Sequence, residues 1–231
     1  IMFNVGENDL EAEGIRILAA HVDSPRLDLK QVPMYEESGM AFLKTHYYGG
    51  IRKYQWVASP LALHGVVIKA DGESVWVSIG EDPTDPVLYI NDLLPHLGHN
   101  DDRKPLGEAI PGEKLNLLVG SRPLVNEADG IKLNVLRILN EKYGITEEDF
   151  LSADLCAVPA DKARDVGLDR SLIGAYGHDD RVCAYAEIEP LLEMGTPTHT
   201  AVCILADKEE IGSVGISGMQ SQAFEYFMGM L

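Results

Sequence analysis

The sequence is short of basic residues, of cysteine and of long apolar segments, and each shortage excludes a class of protein. Lys and Arg number 19 against 37 Asp and Glu, for a formal net charge of −18 at pH 7. A nucleic-acid-binding protein needs clustered cations against the phosphates, so this acidic balance opposes that function. No apolar run approaches the roughly 20 residues that cross a bilayer, and residues 1–6 lack the basic-then-apolar layout of a signal peptide.

Cysteine occurs at three isolated positions, Cys156, Cys183 and Cys203, inside apolar runs and without CxxC spacing. This pattern is typical of buried, reduced thiols in a cytosolic protein rather than of disulfides or thiolate metal ligands. We therefore expect a cytoplasmic protein whose partners are neither nucleic acids nor membranes.

The rest of the composition, with 45% hydrophobic and 24% charged residues, is that of an ordinary globular protein. Its 231 residues suffice for one large domain, or for one domain that carries an inserted second one. The chain starts at Ile1 and stops within an apolar, helix-like stretch at residues 223–228. We therefore expect both ends to be cuts in a longer polypeptide.

Hydrophobic periodicity predicts a β-rich block behind a first strand. Residues 15–20 are an apolar run of strand formers, which indicates a buried strand that ends at His21. From about residue 26 to 121, apolar and polar residues alternate between Gly and Pro punctuation. Residues 61–68 and 75–79 flank an Asp-Gly turn there, which predicts a hairpin.

Helices and strands alternate in the remainder of the chain. Apolar positions at i, i+4, i+7 and i+8 from Ile131 predict a helix that stops at Gly144. Strands are predicted at residues 151–158 and 200–206, with a helix at 182–194 between them. This alternation predicts an α/β domain whose first strand is separated from the rest by an inserted β-rich domain.

The segment His21-Val22-Asp23-Ser24-Pro25 follows the first predicted strand. An extended His-x-Asp places both side chains on the same side of the backbone. A neutral imidazole is a good ligand for zinc, and a nearby carboxylate can fix its tautomer. The alternative is a surface histidine beside an aspartate that caps a turn.

A second segment, Gly177-His178-Asp179-Asp180-Arg181, precedes the helix predicted at residues 182–194. A carboxylate here lies at the positive end of a helix, and its two oxygens suit a bridge between two cations. The alternative is an aspartate that caps the helix beside a surface ion pair.

A third segment, residues 207–213, contains Glu209 and Glu210 after a predicted strand. One glutamate can ligate a metal while the other takes a proton from water, which is the division of labour in metal-assisted hydrolysis. A solvated acidic turn is the alternative. Together the three segments supply the imidazole and carboxylate ligands of a divalent metal, and they favour a metallohydrolase.

Five stretches of the sequence resemble one known family. AAHVDSPRLDLK, YGGI, LLPHLGH, GAYGHDDRVCAYA and DKEEIGSVGISGMQS follow in this order across nearly all of the chain. They are similar to the signature stretches of the aspartyl aminopeptidase family of co-catalytic metallopeptidases. The resemblance implies a zinc-peptidase-like α/β domain in residues 1–30 and 173–231, interrupted by a β-rich dimerisation domain in residues 31–172. It also implies a homo-oligomer, with dimers assembled into a tetrahedral dodecamer.

The resemblance implies a role for individual residues as well. His21 would bind one metal and Glu210 the other, while Asp179 would bridge the two metals next to a cis peptide bond. Asp23 would orient His21, and Glu209 would be the general base.

The resemblance also extends to His96 in LLPHLGH, which matches a histidine that family members offer to a neighbouring subunit's active site. There it would bind the substrate or stabilise the oxyanion, and the alternative is a surface histidine of the β-rich domain. The family's site needs two more ligands, an acidic residue and a C-terminal histidine, which we expect beyond Leu231. Neither His178 nor His199 falls where the family's motif would put them.

The sequence therefore predicts a metalloaminopeptidase that removes N-terminal residues from peptides. Acidic N-terminal residues are a candidate preference. Two divalent ions are the expected cofactors, and zinc, cobalt and manganese all remain open because histidine and carboxylate ligands do not distinguish them. One rival is a related two-metal carboxypeptidase or deacylase. The other is a non-catalytic assembly protein, which the missing ligands and the β-rich insertion favour.

Overall fold

The computed structural model describes residues 1–124 and 128–230. Among them, no helix combines the length and the apolarity that crossing a membrane requires. Short 3-10 turns join several of the regular elements. In chain order these elements are β1 (Met2–Asn4), α1 (Leu10–Glu13), β2 (Ile15–His21), β3 (Arg26–Glu37), β4 (Met40–Tyr48), β5 (Leu61–Ile68), β6 (Ser74–Ile79), α2 (Pro95–Gly98), α3 (Leu106–Ala109), β7 (Leu117–Gly120), α4 (Gly130–Tyr143), β8 (Ala153–Pro159), β9 (Arg164–Val166), β10 (Leu172–Gly174), α5 (His178–Glu193), β11 (Thr200–Ala206) and α6 (Ala223–Met230).

The chain divides into two compact units. Unit 1 consists of Ile1–Pro25 and Arg164–Leu231, and unit 2 consists of Arg26–Ala163. The predicted fold class, an α/β domain interrupted by a β-rich insertion, is confirmed. The two boundaries between the units follow Pro25 and Ala163, so each lies N-terminal to the boundary expected from the sequence, after residues 30 and 172. Strand β3 pairs within unit 2 from its first residue, and strands β9 and β10 pair with each other within unit 1.

Unit 1 contains a three-stranded sheet with the order β1-β11-β2. Strands β2 and β11 are parallel, and their register pairs Ile15 with Thr200 and His21 with Ala206. Helix α5 packs against both strands. Because parallel strands in this register end side by side, the loops that follow His21 and Ala206 start at the same edge of the sheet.

Two burial predictions in unit 1 are wrong. Strand β2 was expected to be buried, but of its residues only Ala20 is buried, and Leu18 is 55% exposed. The reason is that β2 is an edge strand of the sheet in the part of the chain that the structure describes. Cys183 on helix α5 is exposed, whereas Cys203 is buried and Cys156 is half-buried; all three are free thiols.

Unit 2 is built on a six-stranded antiparallel sheet with the order β6-β5-β8-β3-β4-β7. The predicted hairpin is confirmed as β5 and β6, with Val66 opposite Trp76. Strand β8 begins later than predicted, at Ala153, because a 3-10 turn occupies Glu148–Ser152. Helix α4 packs on this sheet and ends as predicted at Gly144, whose left-handed φ of 68° caps it.

A single large cluster of buried apolar side chains lies in unit 2. Strands β3 to β8, helix α4 and the loops between them all contribute to it. Burial of this kind is the main favourable contribution to folding, so unit 2 has a hydrophobic core of its own. The buried members are Leu27, Met34, Ala41, Leu43, Trp56, Leu61, Leu63, Val67, Val77, Leu88, Ile90, Leu115, Leu117, Ile131, Val135, Ile145, Phe150, Leu155 and Ala157.

Candidate metal centre

Three loops of unit 1 bring the predicted metal ligands and the predicted general base together. His21 ends strand β2, Glu209 and Glu210 open a 3-10 turn after strand β11, and Asp179 lies at the start of helix α5. The imidazole Nε2 of His21 lies 3.1 Å from Asp179 Oδ1 and 3.8 Å from Glu209 Oε2. Segments that are far apart along the chain therefore form one polar cluster.

This cluster has the composition and the spacing of a metal site. His21, Glu209 and Glu210 each offer one ligand atom, and these three atoms lie within 4.8 Å of one another. Imidazole nitrogen and carboxylate oxygen are ligands that zinc and similar divalent ions accept. The residues present therefore fit a divalent cation.

The electrostatics of the cluster point the same way. Burial raises the pKa of Glu210, and the negative charges of Asp179, Asp23 and Glu209 add to this shift against the opposing effect of His21. Burial lowers the pKa of His21, but its hydrogen bonds to the Asp23 carbonyl and the Asp179 carboxylate produce a net rise. A divalent cation would offset the repulsion among these carboxylates.

Asp23 contacts three members of the cluster, although its side chain is only 2% exposed. Its carboxylate accepts hydrogen bonds from the backbone N–H groups of Glu209 and Glu210, each at 3.2 Å. Its backbone carbonyl oxygen lies 3.0 Å from Nδ1 of His21, while its Oδ1 lies 3.4 Å from the same nitrogen. The structure thus places Asp23 against both the imidazole and the glutamate turn.

An irregular backbone precedes the regular part of helix α5 and presents Asp179 to His21. Gly177 has a φ of 80°, a conformation that residues with a Cβ rarely adopt. Asp179 and Asp180 have non-helical dihedral angles, so the regular helix begins after them. The peptide bond between these two residues is cis, as the resemblance to the family implies.

Two further side chains join the His21 loop to the Asp179 loop. The Ser24 hydroxyl donates to the backbone carbonyl of Asp179 at 3.4 Å, and the Tyr176 hydroxyl donates to the carbonyl of Pro25 at 2.7 Å. The sequence motifs did not single out either contact. Ser24 lies inside a recognised motif, but no periodicity or spacing pairs Tyr176 with Pro25.

Of the predicted site residues, His96 is the one outside this cluster. It lies on the short helix α2 in unit 2, where it is exposed. Its role at a neighbouring subunit therefore stays a prediction. In the part of the chain that the structure describes, His178 and His199 do not join the group of metal-ligating atoms either.

The comparisons with known proteins agree with this chemistry. The chain matches, over residues 1–231, the family model described as aminopeptidase I zinc metalloprotease (M18). A curated relative from Clostridium acetobutylicum, "Probable M18 family aminopeptidase 1", is 55% identical over 227 residues, which cover 97% of this chain and 49% of the relative. The crystal structure of aminopeptidase I from Clostridium acetobutylicum is 51% identical with a TM-score of 0.91, over 99% of this chain and 50% of that one.

A more distant structure, the S. cerevesiae mApe1 dodecamer, is similar in fold alone. It is 22% identical with a TM-score of 0.70, over 98% of this chain and 51% of that one. The chain spans about half the length of the curated relatives and solved structures described here. The sequence resemblance to metalloaminopeptidases is therefore confirmed for the portion of these proteins that the chain covers.

Proposed function

Since this chain belongs to the aminopeptidase I zinc metalloprotease (M18) family, we propose that it supplies part of the active site of a metal-dependent aminopeptidase. The observation that carries the proposal is the meeting of His21, Glu209 and Glu210, whose ligand atoms lie within 4.8 Å of one another. The proposed reaction is the hydrolytic removal of the N-terminal residue from a peptide. Acidic N-terminal residues are a candidate preference, and the cytoplasm is the proposed location.

Two divalent ions are proposed for this centre, with zinc tested first and cobalt and manganese as alternatives. His21 would ligate one ion, Glu210 the other, and Asp179 both. Such ions, when bound, lower the pKa of water and polarise the peptide carbonyl. The proposal is supported by the donor chemistry, and by burial and the neighbouring carboxylates, which both raise the pKa of Glu210.

Glu209 is the proposed general base. Its side chain is 56% exposed, whereas Glu210 is more deeply buried, so Glu209 is the glutamate that solvent reaches more easily. A carboxylate in this position takes a proton from the attacking water and delivers it to the departing amine. His21, 3.8 Å from Glu209 Oε2, keeps this carboxylate beside the proposed ligands.

We further propose that the protein is a homo-oligomer in which unit 2 forms the dimer contact. His96 would then reach a neighbouring subunit's site, where it would bind the substrate or stabilise the oxyanion. The proposal is supported by the exposure of Leu93, Leu94 and Leu97 around this histidine, because neighbouring exposed leucines are typical of an interaction surface. The solved mApe1 structure, which shares the fold, is a dodecamer.

The test is a panel of peptides offered to the full-length protein. We expect the protein to release the first amino acid from peptides with a free N-terminal amine and not to cleave N-acetylated copies of them. A chelator should abolish this activity, and addition of Zn²⁺, Co²⁺ or Mn²⁺ should restore it. Equal cleavage of the acetylated peptides would favour a deacylase or a carboxypeptidase. An assembled, metal-free particle that is inactive and indifferent to chelator would favour an assembly protein.

A further inference from the structure

A cavity of about 150 Å³ lies within unit 2, between helix α4 and the core face of the six-stranded sheet. The helix lines it with Val135, Ile138 and Leu139, and the sheet contributes Val77 and Leu155 among other side chains. Protein interiors are close-packed, and voids larger than a water molecule are few in a domain. A cavity of this volume therefore exceeds what ordinary packing leaves.

The lining of this cavity is apolar throughout. Every side chain that surrounds it, among the residues that the structure describes, is that of an aliphatic residue, a proline or a phenylalanine. A polar or charged ligand would lose its hydrogen bonds to water here without gaining partners, which costs free energy. The lining therefore selects an uncharged hydrocarbon, and apolar cavities of about this volume stay dry and bind benzene or xenon.

A glycine in the sheet is one cause of the space. Gly65 on strand β5 pairs with Val77 on β6 and with Leu155 on β8, and both of these neighbours line the cavity. Its φ of 139° is one that residues with a Cβ rarely adopt, and a Cβ here would collide with the backbone carbonyl oxygen of Asp154. The sheet therefore carries no side chain at this position, next to two of the residues that line the cavity.

The cavity reaches the surface beside the second half of helix α4. Two of its lining residues are exposed, namely Pro86 and Ile138, the latter by 48%. Lys142 lies one helical turn after Ile138, and its Nζ is 3.1 Å from Oδ1 of Asp85, the residue that precedes Pro86. Both exposed lining residues therefore belong to one part of the surface, which offers a path from solvent to the apolar lining.

We infer that unit 2 contains a binding site for a small uncharged hydrocarbon of about the size of benzene, enclosed by helix α4 and the core face of the sheet. The site uses none of the residues proposed for the metal centre, so it is independent of the proposed function. Its occupation stabilises unit 2, because a ligand that binds only the folded state shifts the folding equilibrium towards that state.

Calorimetric titration of the full-length protein with benzene and with benzoate tests the class of ligand. We expect benzene to bind with a Kd of about 1 mM or tighter. Benzoate has the same ring but carries a charge that the lining cannot compensate, so it should bind at least about tenfold more weakly. Absence of benzene binding, or equal binding of benzoate, would overturn the inference.

The substitution Val77→Phe, made in the full-length protein, locates the site. The larger side chain lies opposite Gly65 and fills part of the cavity, so the affinity for benzene should fall at least about tenfold. Val66→Phe is the matched control, because Val66 pairs with the exposed Trp76 on the opposite face of the sheet. The control should bind benzene as wild type does, and wild-type affinity in Val77→Phe would show that benzene binds elsewhere.

Xenon keeps the inference testable should Val77→Phe fail to fold. Crystals of the wild-type full-length protein under xenon pressure should show an anomalous scattering peak in contact with Val77, Val135 and Leu155. A map without xenon at these side chains would contradict the inference, whatever the peptide assays show about the proposed function.

Discussion

Units 1 and 2 differ in the kind of side chain that each one gathers. In unit 2, buried apolar side chains from six strands and helix α4 form one cluster. In unit 1, an imidazole and several carboxylates meet at the end of two parallel strands. Large apolar side chains of unit 1, among them Leu18 and Tyr185, stay exposed.

This difference separates stability from chemistry. Burial of apolar surface stabilises a unit by roughly 25 cal/mol per Å², so the cluster of unit 2 is a source of folding free energy. Carboxylates that lie close together repel one another and resist burial, so we expect the cluster of unit 1 to contribute less to stability than the apolar cluster of unit 2 unless a bound cation neutralises it. Substitutions in the cluster of unit 2 should therefore change mainly the free energy of unfolding, and those in the cluster of unit 1 mainly turnover and metal content.

The largest effect is expected for Glu209→Gln in unit 1. Glutamine keeps the size of the side chain but cannot accept a proton, so turnover should fall by about 10²–10⁴-fold. The amount of bound metal, measured by inductively coupled plasma mass spectrometry, should stay unchanged. His21→Ala, in the same cluster, should instead lower the metal content. Normal peptide hydrolysis by Glu209→Gln would show that another group is the base.

Phe150→Ala in unit 2 should affect stability alone. Phe150 is buried in the apolar cluster, and its truncation should lower the free energy of unfolding of unit 2 by about 3–5 kcal/mol. Chemical denaturation, followed by hydrogen exchange in peptides from strands β5 and β8, would measure this. Leu168→Ala is the matched control, because Leu168 in unit 1 is fully exposed and should change stability by less than about 0.5 kcal/mol. An equal loss in both variants would remove the contrast between the units.

The local parts of this architecture could be predicted from the sequence. The strand Thr200–Ala206, the hairpin of β5 and β6, and the helix that ends at Gly144 all follow from periodicity and turn chemistry. The motifs, with the family resemblance, also identified His21, Asp179 and Glu210 as candidate ligands and Glu209 as the candidate general base. Each of these inferences depends on residues that are close together in the chain.

The failed or missing predictions depend on tertiary contacts. An apolar run does not reveal that β2 lies at the edge of its sheet among the described residues, so its burial was predicted wrongly. Cys183 was also expected to be buried because it lies within an apolar run of the sequence, but it is exposed on helix α5. The sequence predicted that Asp23 would orient His21. It did not predict that the Asp23 carboxylate accepts hydrogen bonds from the N–H groups of Glu209 and Glu210, which are 186 and 187 residues away. Periodicity carries no information about such distant partners.

A smaller effect is expected for the alkylation rates of two cysteines, one in each unit. Burial raises the pKa of Cys156 in unit 2 to about 11, so its thiol stays protonated at pH 8. The pKa of Cys183 in unit 1 is also raised, by its hydrogen bond to Asp180, but this thiol is exposed. Because reaction needs both thiolate and access, iodoacetamide should modify Cys183 at least about tenfold faster than Cys156. Peptide mapping over time checks this, and modification of Cys156 first would contradict the assigned burial.

The smallest effect is expected for Glu210→Gln, and its sign depends on metal. Because burial and neighbouring carboxylates raise the pKa of Glu210 in the folded protein, its contribution to stability is present at pH values below its unfolded pKa. That contribution is lost as the pH rises through the raised folded pKa. Glutamine imitates the protonated form at every pH. At pH 7 the metal-free variant should therefore melt about 1–2 °C higher than metal-free wild type, and the two should converge below pH 4.

Adding Zn²⁺ should reverse this order. A cation that binds the folded state stabilises it in proportion to its affinity, and the variant lacks one of the proposed ligands, so wild type should gain more. Melting curves at pH 7 and pH 4, each with chelator and with Zn²⁺, measure all four arms. A variant that is less stable than wild type without metal would show that the Glu210 carboxylate stabilises unit 1 by itself. The polar cluster would then contribute to folding as the apolar cluster of unit 2 does, and the contrast between the units would be lost.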